Sequence, residues 1–227
     1  MIDFIINMHT TLKNLNLINS QIFDELKKNK LTSKVPNIVA VSKTFPIEKI
    51  MPLIENNHLH FGENKVQEAI SKWKYIKQEY KDIKLHLVGK LQTNKVKFAV
   101  QLFDYIHSLD NLKLANKISE VQKKLNKRLK IFIQVNIGNE SQKNGVEKNK
   151  VLEFYNSCKD LNLDIIGIMC IPPADNKTEY YFNQMQEINN TLKLNELSMG
   201  MSNDYLKAVR YSATFLRIGS KIFGSRN

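Results

Sequence analysis

Cysteine is nearly absent from this chain: Cys158 and Cys170 are the only two in 227 residues. Their spacing matches no metal-binding pattern and offers no disulfide framework, so a stapled secreted fold is excluded and a reducing compartment is expected. Proline and glycine are also scarce, at five and eight residues. No Pro/Gly/Ser-rich linker or low-complexity tract divides the sequence, and one domain spanning 1–227 is expected. No apolar run approaches the roughly 20 residues of a membrane-spanning helix. The opening Met1-Ile-Asp-Phe-Ile-Ile-Asn has no basic region ahead of an apolar stretch, so it does not read as a signal peptide. A cytoplasmic protein without a membrane partner follows as the expectation. Arginine is rare as well: Arg128, Arg210, Arg217 and Arg226 are the whole set. The net charge of +12 therefore comes from lysines, and these are scattered over every helical segment. Nucleic-acid surfaces cluster their charge, so no nucleic-acid partner is expected, although a basic field favours small anionic ligands.

What the chain does have is 42% hydrophobic and 25% charged residues, an ordinary globular balance, and a regular alternation of two periodicities. Apolar residues at Ile5, Met8, Leu12, Leu15, Ile22 and Leu26 predict an amphipathic helix over 3–29, laid on the body of the protein. Strands are predicted at 38–41, 58–61, 85–88, 105–108, 131–137, 164–169, 196–199 and 215–218. Helices are predicted at 47–54, 64–80, 93–103, 110–125 (capped by Asp110), 147–161, 178–192 and 203–212. About eight strands alternating with helices indicate βα units. A single (β/α)₈ TIM barrel with an extra N-terminal helix fits the count and the length; a doubly wound open sheet is the alternative, since alternation alone does not show closure.

Within that frame, Asn37–Thr44 stands out. Four apolar residues, Ile38–Val41, run directly into Ser42-Lys43-Thr44, which puts Lys43 where a buried strand hands over to a helix. Taken alone, such a lysine is better explained by snorkelling from a strand end into water. The glycines shift that balance. Gly62, Gly89, Gly138, Gly200 and Gly219 all follow or end predicted strands, so one edge of the strands gathers most of the chain's glycine. Near the end, Leu197-Ser-Met-Gly-Met-Ser202 and Arg217-Ile-Gly-Ser220 each turn from a strand towards a helix start, where free N–H groups can cradle a phosphate. In barrels of this kind the loops after strands seven and eight are the usual phosphate site. Arg217, two residues before Gly219, shares its strand face. His58 and His60 are read as sharing a strand face without a carboxylate or cysteine partner, so no metal site is expected. Neither cysteine has the surroundings of a nucleophile.

These stretches resemble the pyridoxal 5′-phosphate (PLP) homeostasis protein family, the PLP-binding barrels like the N-terminal domain of alanine racemases. The resemblance is carried by Val41-Ser-Lys-Thr44, Phe61-Gly-Glu-Asn64 with Val66-Gln-Glu68, and His86-Leu-Val-Gly-Lys-Leu-Gln-Thr-Asn-Lys95. It continues through His107-Ser-Leu-Asp110, Gln134-Val-Asn136 with Glu140, Lys143 and Gly145, and Gly167-Ile-Met-Cys-Ile-Pro172. Leu197–Ser202 and Arg217–Gly224 complete it. It implies PLP as the cofactor, held as a Schiff base on Lys43. It also implies a phosphate site at Ser202, Gly219 and Ser220 with Met201 beside them, Arg217 facing the pyridine nitrogen, and Asn64 in the pocket wall. The sequence departs from the family at Leu206, where a glutamate is common, and at Ser212, where glycine is usual.

The chemistry then sets an expectation of its own. An arginine at the pyridine nitrogen keeps its proton and weakens the ring as an electron sink. No room is seen after the eighth strand for a domain bringing a second acid/base group. A PLP carrier that serves intracellular homeostasis, monomeric and handing its cofactor to PLP-dependent apoenzymes, is expected rather than an enzyme, with no catalytic residue assigned. The alternatives are a small PLP-dependent racemase or Schiff-base lyase, and a cofactor-free barrel that binds a phosphorylated metabolite through Ser202, Gly219 and Ser220.

Overall fold

The computed structural model describes residues 9–31, 34–140 and 144–225. It opens with α1 (Thr10–Lys28) and then alternates: β1 (Asn37–Val41), α2 (Ile47–Glu55), β2 (His60–Glu63), α3 (Val66–Trp73), α4 (Ile76–Glu79), β3 (Lys84–Leu87) and α5 (Val96–Leu102). Next come β4 (Tyr105–Leu109), α6 (Leu112–Leu125), β5 (Lys130–Asn136), β6 (Val146–Glu147), α7 (Val151–Asp160) and β7 (Asp164–Cys170). The chain finishes with α8 (Thr178–Thr191), β8 (Glu196–Ser198), α9 (Tyr205–Arg210), β9 (Phe215–Ile218) and α10 (Ser220–Phe223).

Every strand pairing is parallel, in the order β4-β3-β2-β1-β9-β8-β7-β5, and a β4–β5 pairing joins the two ends. The sheet is thus a closed eight-stranded barrel, a TIM barrel, and the open-sheet alternative is excluded. The two-residue β6 adds to β5 outside the ring. Closure follows from strand composition. Runs such as Ile38–Val41 are buried on both faces, one against helices and the other inside the barrel. The interior packs Val39, Tyr105, Phe132, Met169 and Phe215, while Trp73, Phe61, Ile50 and Leu53 lie between barrel and helices. Among the described residues, no helix is long and apolar enough to cross a membrane.

The expected helix over 3–29 is seen as α1, with Leu15, Ile18, Ile22 and Leu26 buried; Ile5 and Met8 lie outside the described residues. α1 packs on α2, α9 and α10. Three expectations are corrected. The cap of α6 is Asn111 and not Asp110: extended Asn111 accepts the Leu114 N–H at 2.9 Å, while the Asp110 carboxylate holds the Asn111 amide at 2.6 Å. The single helix expected over 64–80 breaks between Trp73 and Ile76, and Lys77 of α4 reaches the Leu102 carbonyl and Asp104. His58 does not share a strand face with His60. It precedes β2, with its Nε2 2.9 Å from the His60 carbonyl oxygen.

Candidate functional site

Lys43 leaves the C-terminal end of β1 in a turn held from two sides. The Ser42 N–H donates to the Gly62 carbonyl at 2.9 Å, and the Ser42 hydroxyl donates to Glu63 Oε1 at 2.8 Å. Glu63 is fully buried; the same oxygen accepts from Trp73 Nε1 at 3.0 Å and from the Lys72 ammonium at 2.9 Å. Lys72 also bonds the Ser42 carbonyl at 2.9 Å, and Glu68 takes the Thr44 N–H at 2.5 Å. The backbone on both sides of Lys43 is therefore pinned, and its half-buried side chain enters the cleft at the barrel mouth. Beside it, Asn64 follows β2. A Cβ on Gly89 would lie 2.4 Å from the Asn64 carbonyl oxygen, so only glycine at 89 lets the Asn64 backbone pass where it does.

The last two βα loops face Lys43 across the cleft. Gly200 takes φ +88°, which glycine adopts at low cost, and its carbonyl accepts the Arg217 N–H at 2.9 Å. Asp204 holds the Met201 N–H at 2.6 Å, which tightens the turn that presents Ser202. Buried Ser202 is in turn tied to the neighbouring loop, its hydroxyl accepting the Lys221 N–H at 3.3 Å. Gly219 and Ser220 open α10 on the same side. Two glycine–serine turns so meet as one polar, N–H-rich corner.

Arg217 forms the floor. It follows Phe215 on the inward face of β9 and is almost fully buried. One Nη donates to Ser198 Oγ at 2.7 Å and the other to the Cys170 carbonyl at 2.8 Å. Burial lowers its pKa, yet a guanidinium stays charged, so the cleft has a fixed cation at its base. Burial pushes the Cys170 and Cys158 thiols up to about 12, which leaves both unreactive.

The seven residues singled out in the sequence, Lys43, Asn64, Met201, Ser202, Arg217, Gly219 and Ser220, all line one cleft of about 730 Å³. Lys143 lies outside the described residues. Sequence reasoning gave no role to the supporting set: Glu63, Glu68 and Lys72 around the lysine turn, and the inward-facing His86, His107 and Ser198 below Arg217. Strand parity was the available signal for the histidines, since each falls at an alternate position of its strand.

An amine at the end of strand one, a polar, N–H-rich corner at the last two strands and a cation at the floor of the same cleft define a class of protein: barrels of the alanine racemase N-terminal type. The family model described as alanine racemase, N-terminal domain, matches residues 23–227. The chain is 34% identical over 226 residues to the pyridoxal phosphate homeostasis protein of Haemophilus influenzae, covering 94% of this chain and 95% of the relative. It is 37% identical over 199 residues to the protein of the same name from Aquifex aeolicus, covering 83% and 86%. The chain belongs to the pyridoxal phosphate homeostasis protein family. Among solved structures, PipY of Synechococcus elongatus with PLP bound superposes with a TM-score of 0.78 at 32% identity, over 89% of this chain and 100% of that one. The alanine racemase of Clostridium difficile 630 superposes with a TM-score of 0.72 at 16% identity, over 96% of this chain and 57% of that one, and shows the fold alone.

Proposed function

We propose that this chain binds pyridoxal 5′-phosphate in the cleft at the C-terminal mouth of the barrel and holds it as a Schiff base on Lys43, as a carrier in PLP homeostasis. The observation that carries this reading is the convergence of all seven residues on that one cleft, whose 730 Å³ suits a small cofactor. Each part of the ligand has a chemically matched partner. The amine of Lys43 condenses with an aldehyde, forming one C=N bond with loss of water, and its pinned backbone holds the nitrogen at the mouth. Ser202, Gly219 and Ser220 offer hydroxyl and N–H donors to phosphate oxygens. Met201 and Asn64 bound the space between.

When bound, the cofactor supplies a reactive aldehyde and an electron-withdrawing ring. Arg217 sets how far that ring can act. Two hydrogen bonds fix its guanidinium, which cannot release a proton to the ring nitrogen. A ring left unprotonated is a poor electron sink, and this favours holding the cofactor over turning amino acids over. Delivery to PLP-dependent apoenzymes is the partner interaction that goes with such a role.

The test is reconstitution with PLP followed by borohydride reduction and peptide mass analysis. The expected result is a visible absorbance band lost on reduction and a pyridoxyl group on Lys43, both absent in Lys43→Ala. Reconstituted protein without an adduct at Lys43 overturns the reading. Sustained, stereospecific amino-acid turnover by the pure protein overturns the carrier role and leaves the binding role standing.

A further inference from the structure

Barrel interiors are filled mainly by branched apolar side chains. This one contains a hydrogen-bonded polar column that runs up to Arg217. His60 stands at the start of β2, His86 within β3, His107 within β4 and Ser198 at the end of β8. His60 Nδ1 lies 2.9 Å from His86 Nε2, His86 Nδ1 lies 2.9 Å from His107 Nε2, and His107 Nδ1 lies 2.9 Å from Ser198 Oγ. Ser198 Oγ accepts from Arg217 at 2.7 Å. Every ring thus turns Nδ1 towards the arginine and Nε2 away from it.

Bonding arithmetic orients the hydrogens. Arg217 can only donate, so Ser198 accepts there and gives its own hydrogen to His107 Nδ1. His107 then carries its hydrogen on Nε2 and donates to His86, which donates from Nε2 to His60. The opposite order would make Ser198 accept from both sides and leave its hydrogen without a partner among the described residues. Stacking locks the rings in place: His86 lies on Tyr105 with centroids 4.1 Å apart, and His107 on Phe132 at 4.3 Å. Burial holds both inner rings neutral, helped at His107 by the charge of Arg217. A column of neutral rings, each with its lone pair facing the guanidinium, lets aligned dipoles stabilise a buried cation. It also leaves Ser198 one hydrogen-bonding state, with an acceptor always presented to Arg217.

We propose that His86 and His107 are positioning residues for Arg217, acting through Ser198 as one polarised column that fixes the cation at the floor of the cleft. The proposal rests on the reading that Arg217 faces a ligand there. A column kept only for packing would be replaceable by apolar rings without any effect at Arg217. A positioning column transmits its loss upwards. With residue 86 apolar, His107 Nε2–H loses its acceptor, and either tautomer then leaves a hydrogen unpartnered: the ring Nε2–H or, after transfer to Nδ1, the hydroxyl hydrogen of Ser198.

The experiment combines two readouts. The first is nitrogen-15 NMR of histidine-labelled protein without ligand. His60, His86 and His107 are expected as Nε2–H tautomers, with slow hydrogen exchange at the two inner rings. In His86→Phe, His107 is expected to lose its single Nε2–H form and show mixed tautomers. His86→Gln, whose amide both accepts and donates, is expected to restore the native pattern. The second readout is PLP titration followed by visible absorbance, with an expected loss of about tenfold in affinity for His86→Phe and recovery in His86→Gln. Should His86→Phe fail to fold, Ser198→Ala cuts the column at its top without adding volume. It is expected to leave His107 in mixed tautomers with a similar loss of PLP affinity. Mixed tautomers in the native protein, or severed columns that change neither His107 nor PLP affinity, overturn the proposal. Because the NMR pattern is read without ligand, a missing adduct at Lys43 overturns the cofactor reading separately.

Discussion

Ser212 holds φ +59°, in the left-handed region where a Cβ costs about 1 kcal/mol or more. Its hydroxyl accepts from the Gln186 amide at 2.9 Å, which offsets part of that strain. Ser212→Gly is expected to raise stability by up to about 1 kcal/mol, read as a higher urea midpoint with an unchanged slope. The lysine turn behaves in the opposite way. Glu63 is fully buried and Lys72 is 10% exposed, so Glu63→Gln leaves an ammonium without its deepest counter-charge. A loss of about 3 kcal/mol in urea unfolding is expected. The fit of Lys43 in its sequence was legible because its signal is local: a buried apolar run followed at once by Ser-Lys-Thr. Glu63, Glu68 and Lys72 were not, because their meeting point depends on how α3 swings back over the end of β1.

At the scale of elements, α1 braces the two loops that face Lys43. Asn14 bonds the Ile222 carbonyl at 2.9 Å, Tyr205 bonds Gln21, and Arg210 pairs with Glu25 at 2.5 Å. The helix therefore holds α9 and α10, whose starts present Ser202 and Ser220. Ile22 is fully buried at the centre of this contact. Ile22→Ala is expected to cost about 2–4 kcal/mol by thermal or urea unfolding. Helices with a clear apolar stripe were legible, α1 and α6 among them, because burying one face needs a fixed spacing. Ends were less so. Asp110 and Asn111 are both good caps, and only the extended backbone of Asn111 decides which of them bonds Leu114. The start of β2 moved from His58 to His60 for a similar reason: the register with β3 pairs His60 with Lys84, and the strand begins there.

For the molecule as a whole, two buried histidines, His86 and His107, and two half-buried ones, His58 and His60, are held neutral and make stability depend on pH. His58 and His60 titrate down at about 4, chiefly through burial, with the His60 carbonyl bond partly opposing this at His58 and Lys84 adding to it at His60. His86 and His107 are held well below 6.5, by burial first. The unfolded chain takes up protons near pH 6.5 and the folded chain only near 4 or lower, so this contribution is complete above pH 6.5 and is lost as pH falls. His58 and His60 alone are expected to account for about 2–4 kcal/mol between pH 7 and pH 5. Urea midpoints measured across that range check it: a midpoint that stays level as the pH drops would contradict neutral burial.

Sequence alone determined the alternation of strands and helices, the lysine at the end of the first strand and the glycine–serine turns at the last two. All of these are set by neighbours within a few residues, through periodicity, burial of short apolar runs and turn chemistry. Tertiary structure alone decided that the sheet closes, through the β4–β5 pairing. Closure also aligned three histidines from three strands beneath one arginine. Which side chains face each other inside a barrel depends on the stagger of its strands, a property that no single strand contains.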